Sequence, residues 1–314
     1  MSEILVLAPG LLTTVQDPGR EGFGPLGVSP SGAADGVSLR IGNRLVGNAE
    51  GVAALEMTLL GGTFQFPQGA IAALTGSDFG AMLDGVPIAP WNSFEAKPGQ
   101  TLRLGPTGSG ARCYLCVRGG VDVKPFLGSA STHLLSGLGG YDGRALRKGD
   151  VLNIGASSGS LRKRAVPQKT LARLAPRRVL RVTAGPQGDW FPEASQRIFY
   201  ESTYRVAEES NRMGLRLEGA AIPEGAHGEM ISEGVSLGAI QIAAGGLPII
   251  LFVEQQTTGG YAKIANVISA DLHSLGQLRP RDEIRFERVD FDAARRLLIE
   301  QEELLASDKL IVES

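Results

Sequence analysis

Apolar positions along this chain come in short runs separated by turn signals. Gly62–Phe66, Ala70–Leu74, Thr101–Leu104 and Cys113–Val117 follow one another at close spacing, with Asp84-Gly85 and Pro98-Gly99 between them. Short apolar runs bounded by Gly, Pro and Asp predict strands. Their rhythm is that of a sandwich or barrel. The second half repeats it with Val179–Thr183, Gly214–Glu218, Gly238–Ile242 and Ile249–Val253. Two segments carry a helical period instead. Ala33, Val37, Ile41 and Leu45 recur every fourth residue, with Ser31 and Asp35 as acceptors at the start and Gly47-Asn48 as the stop. The chain closes with an amphipathic helix from about Phe291, capped by Asp290 or Asp292. Its Ala294, Leu297, Leu298, Gln301, Leu304 and Leu305 fall on one side, and it is expected to pack on the second domain.

Composition sharpens this picture. Glycine numbers 43 and aromatics make up only 6%, which favours tight turns between strands over a helical bundle. A length of 314 residues suits two domains. Between Leu161 and Arg181 the chain turns basic, with Arg162, Lys163, Arg164, Lys169, Arg173, Arg177 and Arg178, while Pro167 and Pro176 interrupt any regular element. That stretch reads as a solvated linker. It predicts an N-terminal domain over 1–160, a linker over 161–178 and a C-terminal domain over 179–314. The formal charge of −2 gives no electrostatic reason to expect nucleic acid or an anionic membrane as partner. Met1–Val15 carries no basic leader, and no stretch approaches the roughly 20 apolar residues of a membrane span. A cytoplasmic protein is the expectation.

Several familiar chemistries find no support. Cys113 and Cys116 lie in a strand pattern, where positions three apart face opposite ways, so they predict packed thiols and not a redox or zinc pair. Gly105-Pro106-Thr107-Gly108-Ser109-Gly110 lacks the Gly-Lys-Ser/Thr of a phosphate loop and reads as a hairpin turn. His133, His227 and His273 have no metal-ligand spacing, so no metal is expected. No G-x-S-x-G elbow marks a hydrolase serine.

Five segments combine glycine with polar groups suited to a carboxylate, amide or phosphate. They are Pro9–Arg20 with Gly27–Asp35; Val117–Val123 with Leu127–Thr132; Gly185–Phe191; Ser210–Gly214; and Gln256–Ala265. In this order and spacing they resemble the family variously called allophanate hydrolase subunit 2, KipA-like or biotin-dependent carboxyltransferase, over about Val6 to Phe286. The resemblance implies a mainly β fold of two cyclophilin-like β-barrel domains, with a few short helices and a C-terminal helix. It also implies work beside a KipI-like B subunit and a LamB/YcsF-like A subunit, in ATP-dependent opening of 5-oxoproline, a small amide substrate, to glutamate. ATP would be used by the assembled complex, and biotin is not expected on this chain. Two alternatives stay open: the carboxyltransferase half of a biotin-dependent urea or amide carboxylase, and a binding antagonist of a KipI-like kinase inhibitor. The chain departs from the family pattern at Glu254-Gln255, where relatives usually carry Asp-Arg, and at Arg118, where they often carry a small apolar residue.

Within these segments Lys263, Gln256, Thr257 and Arg118 are the candidate catalytic residues. Lys263, expected at the exposed mouth of a strand, could neutralise a phosphoryl or carboxyl group, while Gln256 and Thr257 orient the amide. Thr258, Gly259 and Gly260 would bring backbone close to a ligand. Gln16, Asp17 and Arg20 are substrate-binding candidates, against a reading as an Asx turn closed by an Arg–Asp pair. Asn211 and Arg212 are candidates against a reading as a turn cap. Asp122 is the expected structural partner if Arg118 is not in the site.

Overall fold

The computed structural model describes residues 2–157, 162–223 and 230–313. The chain divides into two units, one of Met1–Arg20, Ser31–Leu174 and Leu304–Ser314, the other of Glu21–Pro30 and Ala175–Glu303.

The first unit is built around the strand Arg112–Val117, which is buried at every position. Its alternating side chains enter two cores. Cys113, Leu115 and Val117 join one cluster with Ile4, Phe64 and Leu102. Tyr114 and Cys116 join another with Leu39, Ile41 and Leu45 of the helix Gly36–Leu45. A strand covered on both faces needs the unbroken apolar run seen here. It is the middle of an antiparallel five-stranded sheet in the order Leu12–Gln16, Ala54–Thr58, Arg112–Val117, Ala70–Gly76, Ser93–Ala96. A seven-stranded sheet supplies the other wall of the first cluster, in the order Val121–Asp122, Val151–Ile154, Ser2–Ala8, Thr63–Gln65, Thr101–Arg103, Met82–Leu83, Val86–Pro87. Gly105–Gly110 is therefore not a hairpin turn. It carries the chain from Thr101–Arg103 in one sheet to Arg112–Val117 in the other. The two cysteines are free and buried, as packed thiols should be.

The first helix begins at Gly36 and not at Ala33, because Asp35 serves as its N-cap. The Asp35 carboxylate accepts from Ser38 N at 2.9 Å and from Ser38 Oγ at 2.6 Å. The basic stretch also departs from expectation. Arg164–Ala165 pairs with Val312–Glu313, Gln168–Arg173 is helical, and both belong to the first unit. Arg164 donates to Arg44 O at 3.1 Å, and Arg162 pairs with Glu313 at 3.1 Å. The basic side chains are thus partly anchored, and the boundary falls after Leu174; residue 161 lies outside the described residues.

The second unit is a closed barrel in the order Val179–Ala184, Lys263–Val267, Ala239–Ile242, Pro248–Leu251, Gly214–Glu218, Tyr204–Val206, Glu283–Arg288. A parallel pairing of the first and last strands closes it. The helix Glu193–Glu201 covers it through Phe199, whose ring stacks on Phe286 at 4.5 Å between centroids. Between Ala239–Ile242 and Lys263–Val267 the register shifts at Ile240/Gln241 and sets Gln241 opposite Lys263. Such bulges re-aim side chains, and this one lies at the polar cluster described below.

The last helix runs Phe291–Ala306, and of its two possible caps Asp290 is the one used, accepting from Ala293 N at 2.6 Å. Gln301 donates to Ala270 O at 2.9 Å within the second unit. Leu304 and Leu305, however, belong to the core of the first. The expectation that this helix packs on the second domain therefore holds for its span up to Glu303, while its last turn belongs to the first unit. Among the described residues no helix is long and apolar enough to cross a membrane.

Candidate functional site

The first two glycine-bearing segments meet in the first unit. Asp17 is nearly buried, and its carboxylate accepts from Gly19 N at 2.8 Å, Ser129 Oγ at 2.6 Å, Ser131 Oγ at 2.5 Å and Ala130 N at 2.6 Å. The Asx turn is present, and hydroxyl and amide donors close it. Arg20 reaches away to the main-chain carbonyls of Ser131 and, at 3.4 Å, Phe126. Gln16 donates to Thr14 Oγ1 at 3.0 Å and Thr132 O at 3.2 Å. With Gln16 at 0% exposure and Arg20 at 2%, this knot ties two loops together.

Arg118 is placed differently. It follows the last residue of the buried strand, is half-buried, and lines a cleft of about 560 Å³ together with Asp122, Ile71 and Ile154.

In the second unit, the third and fifth segments converge. Gly185 lets its turn lie against the strand Lys263–Val267, since a Cβ there would stand 2.2 Å from Lys263 O. This contact delivers Gln187, which accepts from Lys263 N at 3.2 Å and donates to Glu233 Oε1 at 2.8 Å. Lys263 Nζ pairs with the same Glu233 oxygen at 2.6 Å. The hydrogen bond from Lys263, then that from Gln187, holds the Glu233 carboxyl below the usual carboxylate range. Gln241 lies beside this group at 1% exposure. Among the described residues its Nε2 has no hydrogen-bond partner, and it would stand 2.5 Å from a Cβ at position 259. The closeness that Gly259 permits is therefore to Gln241. Gln256 donates to Gln241 Oε1 at 3.4 Å, and Gln256, Thr258 and Gly260 are exposed while Thr257 is half-buried.

The expectation of an exposed Lys263 is corrected: the side chain is 3% exposed and already has a carboxylate partner. Lys263→Ala removes a buried aliphatic stem along with the ion pair, so it is expected to destabilise the protein by about 2 kcal/mol. Lys309→Ala, at an exposed position, should leave stability unchanged. Denaturant midpoints of the two variants check this, and equal midpoints would contradict the buried placement.

The fourth segment splits. Asn211 is exposed and closes a turn, with its Oδ1 accepting from Met213 N at 2.8 Å. Arg212 is buried and pairs through Nε with Glu254 Oε1 at 2.5 Å. The departure at Glu254 thus has a structural partner inside the same unit. Gln255 is buried and donates to Val235 O at 3.3 Å.

Of the histidines, His133 closes a loop by accepting from Ser136 N at 3.1 Å, and His273 is buried on the short helix Leu272–Leu275. His227 lies outside the described residues. Sequence reading missed Glu233 and Gln241. For Gln241 a signal existed, since a lone amide in the apolar strand Ala239–Ile242 needs a polar partner.

Residues 26–288 match the family model described as carboxyltransferase domain, subdomain A and B. The C subunit of the 5-oxoprolinase of Escherichia coli (strain K12) is 39% identical over 289 residues, covering 92% of each chain. Its counterpart of the same name in Haemophilus influenzae is 37% identical over 300 residues, covering 96% of each. The urea amidolyase of Saccharomyces cerevisiae is 36% identical, covering 97% of this chain and 18% of its own length. The crystal structure of the K. lactis urea amidolyase superposes with a TM-score of 0.89 at 34% identity, covering 99% of this chain and 21% of that one. The chain thus spans about a fifth of the urea amidolyases it matches. On the family match and on these identities over nearly the whole chain, it belongs to the carboxyltransferase domain family, subdomains A and B.

Proposed function

We propose that this chain is the C subunit of an ATP-dependent 5-oxoprolinase, opening 5-oxo-L-proline to L-glutamate together with a KipI-like B subunit and a LamB/YcsF-like A subunit. The observation that carries the reading is the match to two relatives of that name over 92% and 96% of both chains. The chemistry asks for an assembly. A lactam is held closed by amide resonance, and ATP overcomes it when the lactam oxygen takes the γ-phosphoryl group and ADP leaves. One water then adds at the activated carbon, the carbon–nitrogen bond breaks and the nitrogen takes a proton. A second water releases phosphate from the acyl phosphate so formed. Fixed donors facing the amide favour the charged stages of this sequence. This chain contributes main-chain and side-chain donors, while ATP is the co-substrate of the assembly and biotin is not carried here.

Purified alone, the chain is expected to form no glutamate from 5-oxoproline and ATP; co-purified with both partners, it should. Glutamate production by the isolated chain, or none by the complete assembly, would overturn the proposal. A second reading, carboxyl transfer to a urea-like nitrogen, draws support from the TM-score of 0.89 to a urea amidolyase. Carboxylation of urea from a carboxybiotin carrier, with no turnover of 5-oxoproline, would favour it.

A further inference from the structure

The cleft beside Arg118 has about 560 Å³ of space, within the range of sites for small ligands. Its lining combines three chemistries. Ile71 and Ile154 give an apolar wall, Ser2 a hydroxyl, and Arg118 and Asp122 two opposite charges. The local fold explains why both charges arrive there. Arg118 follows the buried strand that ends at Val117, and Gly119 and Gly120, at φ 92° and 74°, turn the chain into the short strand Val121–Asp122. The two charged side chains flank one turn and line the same cleft.

This pairing sets what the cleft can take. A ligand bearing only carboxylates would place charge near Asp122, and one bearing only an amine would place charge near Arg118. A guanidinium presents a planar fork that matches a carboxylate, while a carboxylate accepts from N–H. Lys263 is less suited to an incoming carboxylate, because its side chain is buried whereas Arg118 lines the open cleft. We propose that this cleft binds a small carboxylic acid that also carries an N–H donor, an amino acid or its cyclic amide, with the carboxylate on Arg118 and the N–H on Asp122. The proposal deepens the oxoprolinase reading and rests on it only for the choice of 5-oxoproline and glutamate as first ligands.

Calorimetric titration of the full chain tests it with two matched pairs of probes. 5-Oxo-L-proline is compared with 2-pyrrolidone, which lacks the carboxylate, and L-glutamate with glutarate, which lacks the nitrogen. At least one acid of each kind that keeps both groups should bind, and its truncated counterpart should bind at least about 10-fold more weakly, the scale set by leaving one polar partner unpaired. Arg118→Met should weaken binding by a similar factor and Arg118→Lys by less, with thermal melts showing that both remain folded. Asp122→Asn should weaken the N–H ligands and leave glutarate unchanged or improved. Absence of binding by the wild-type chain at millimolar ligand, equal affinity for glutarate and glutamate, or variants that bind like wild type would each overturn the proposal. If the assembly turns over 5-oxoproline while the variants bind normally, the cleft assignment fails and the oxoprolinase reading stands. If these acids bind at Arg118 but the assembly shows no turnover, the outcome is reversed.

Discussion

Arg212→Ala is expected to destabilise the protein by about 3–5 kcal/mol, the cost of stranding one member of a buried ion pair. The side chains of Arg212 and Glu254 are 6% and 3% exposed, and their 2.5 Å contact lies where two barrel strands run on past their regular ends. Phe252 N donates to Met213 O, and Glu254 N donates to Arg212 O at 2.8 Å, so the backbone holds the pair in register. Without the guanidinium, the Glu254 carboxylate is left without its compensating charge in a nearly dry site, which costs stability. Replacing both partners, as in Arg212→Met with Glu254→Leu, removes the stranded charge and should recover most of the loss. Urea denaturation of the two single variants and the double variant measures the coupling. If Arg212→Ala stays within about 0.5 kcal/mol of wild type, the ordinary range of surface substitutions, the pair does not hold the barrel end. Arg212 would then return as a ligand-facing cation.

Much of the architecture was legible because strands and helices announce themselves over a few neighbouring residues. The run Cys113–Val117 and the apolar period of Val37, Ile41 and Leu45 are local signals, and the structure places them in two clusters that share the strand Arg112–Val117. The five polar, glycine-bearing segments could also be read as special. What could not be read was which segment meets which. Asp17 is 112 residues from Ser129, and Gln187 is 76 from Lys263, and only the closing of sheets and barrel brings them together. The same limit explains the misplacement of Lys263. Its position at a strand start suggested solvent, but the register shift at Ile240/Gln241 and the turn at Gly185 enclose it beside Glu233. The basic stretch misled for a related reason. Arg164 is anchored by residues far away in sequence, so charge density there reported anchoring as well as solvation.

Raising the pH above about 9 should unfold the first unit steeply. Burial pushes the thiols of Cys113 and Cys116 up from their ordinary 9.0, and the charge of Cys116 and of Asp78 adds to the effect on Cys113. Burial, then the charges of Glu56 and Asp35, pushes the Tyr114 hydroxyl well above its ordinary 10.0. The Tyr114 hydroxyl also donates to Glu56 at 2.6 Å, a bond that a phenolate cannot make. The sign follows from where protons sit. Below the ordinary values both folded and unfolded chains keep these protons, so stability is fully present. Above them the unfolded chain releases protons that the folded chain holds, and stability falls with pH until the folded values are reached. Each group contributes a slope of up to about 1.4 kcal/mol per pH unit, so three together make the fall steep. Urea midpoints taken in reductant from about pH 8 to about pH 10.5 should show it. Cys113→Ala with Cys116→Ala will lower stability at every pH by opening small cavities. The diagnostic is the slope, which should flatten by the share of two groups while Tyr114 still titrates. A slope that persists undiminished in the double variant, or a flat profile in the wild type, would show that these groups ionise as freely in the folded chain as in the unfolded one, and that the strand Arg112–Val117 is not the sealed centre of its sheet.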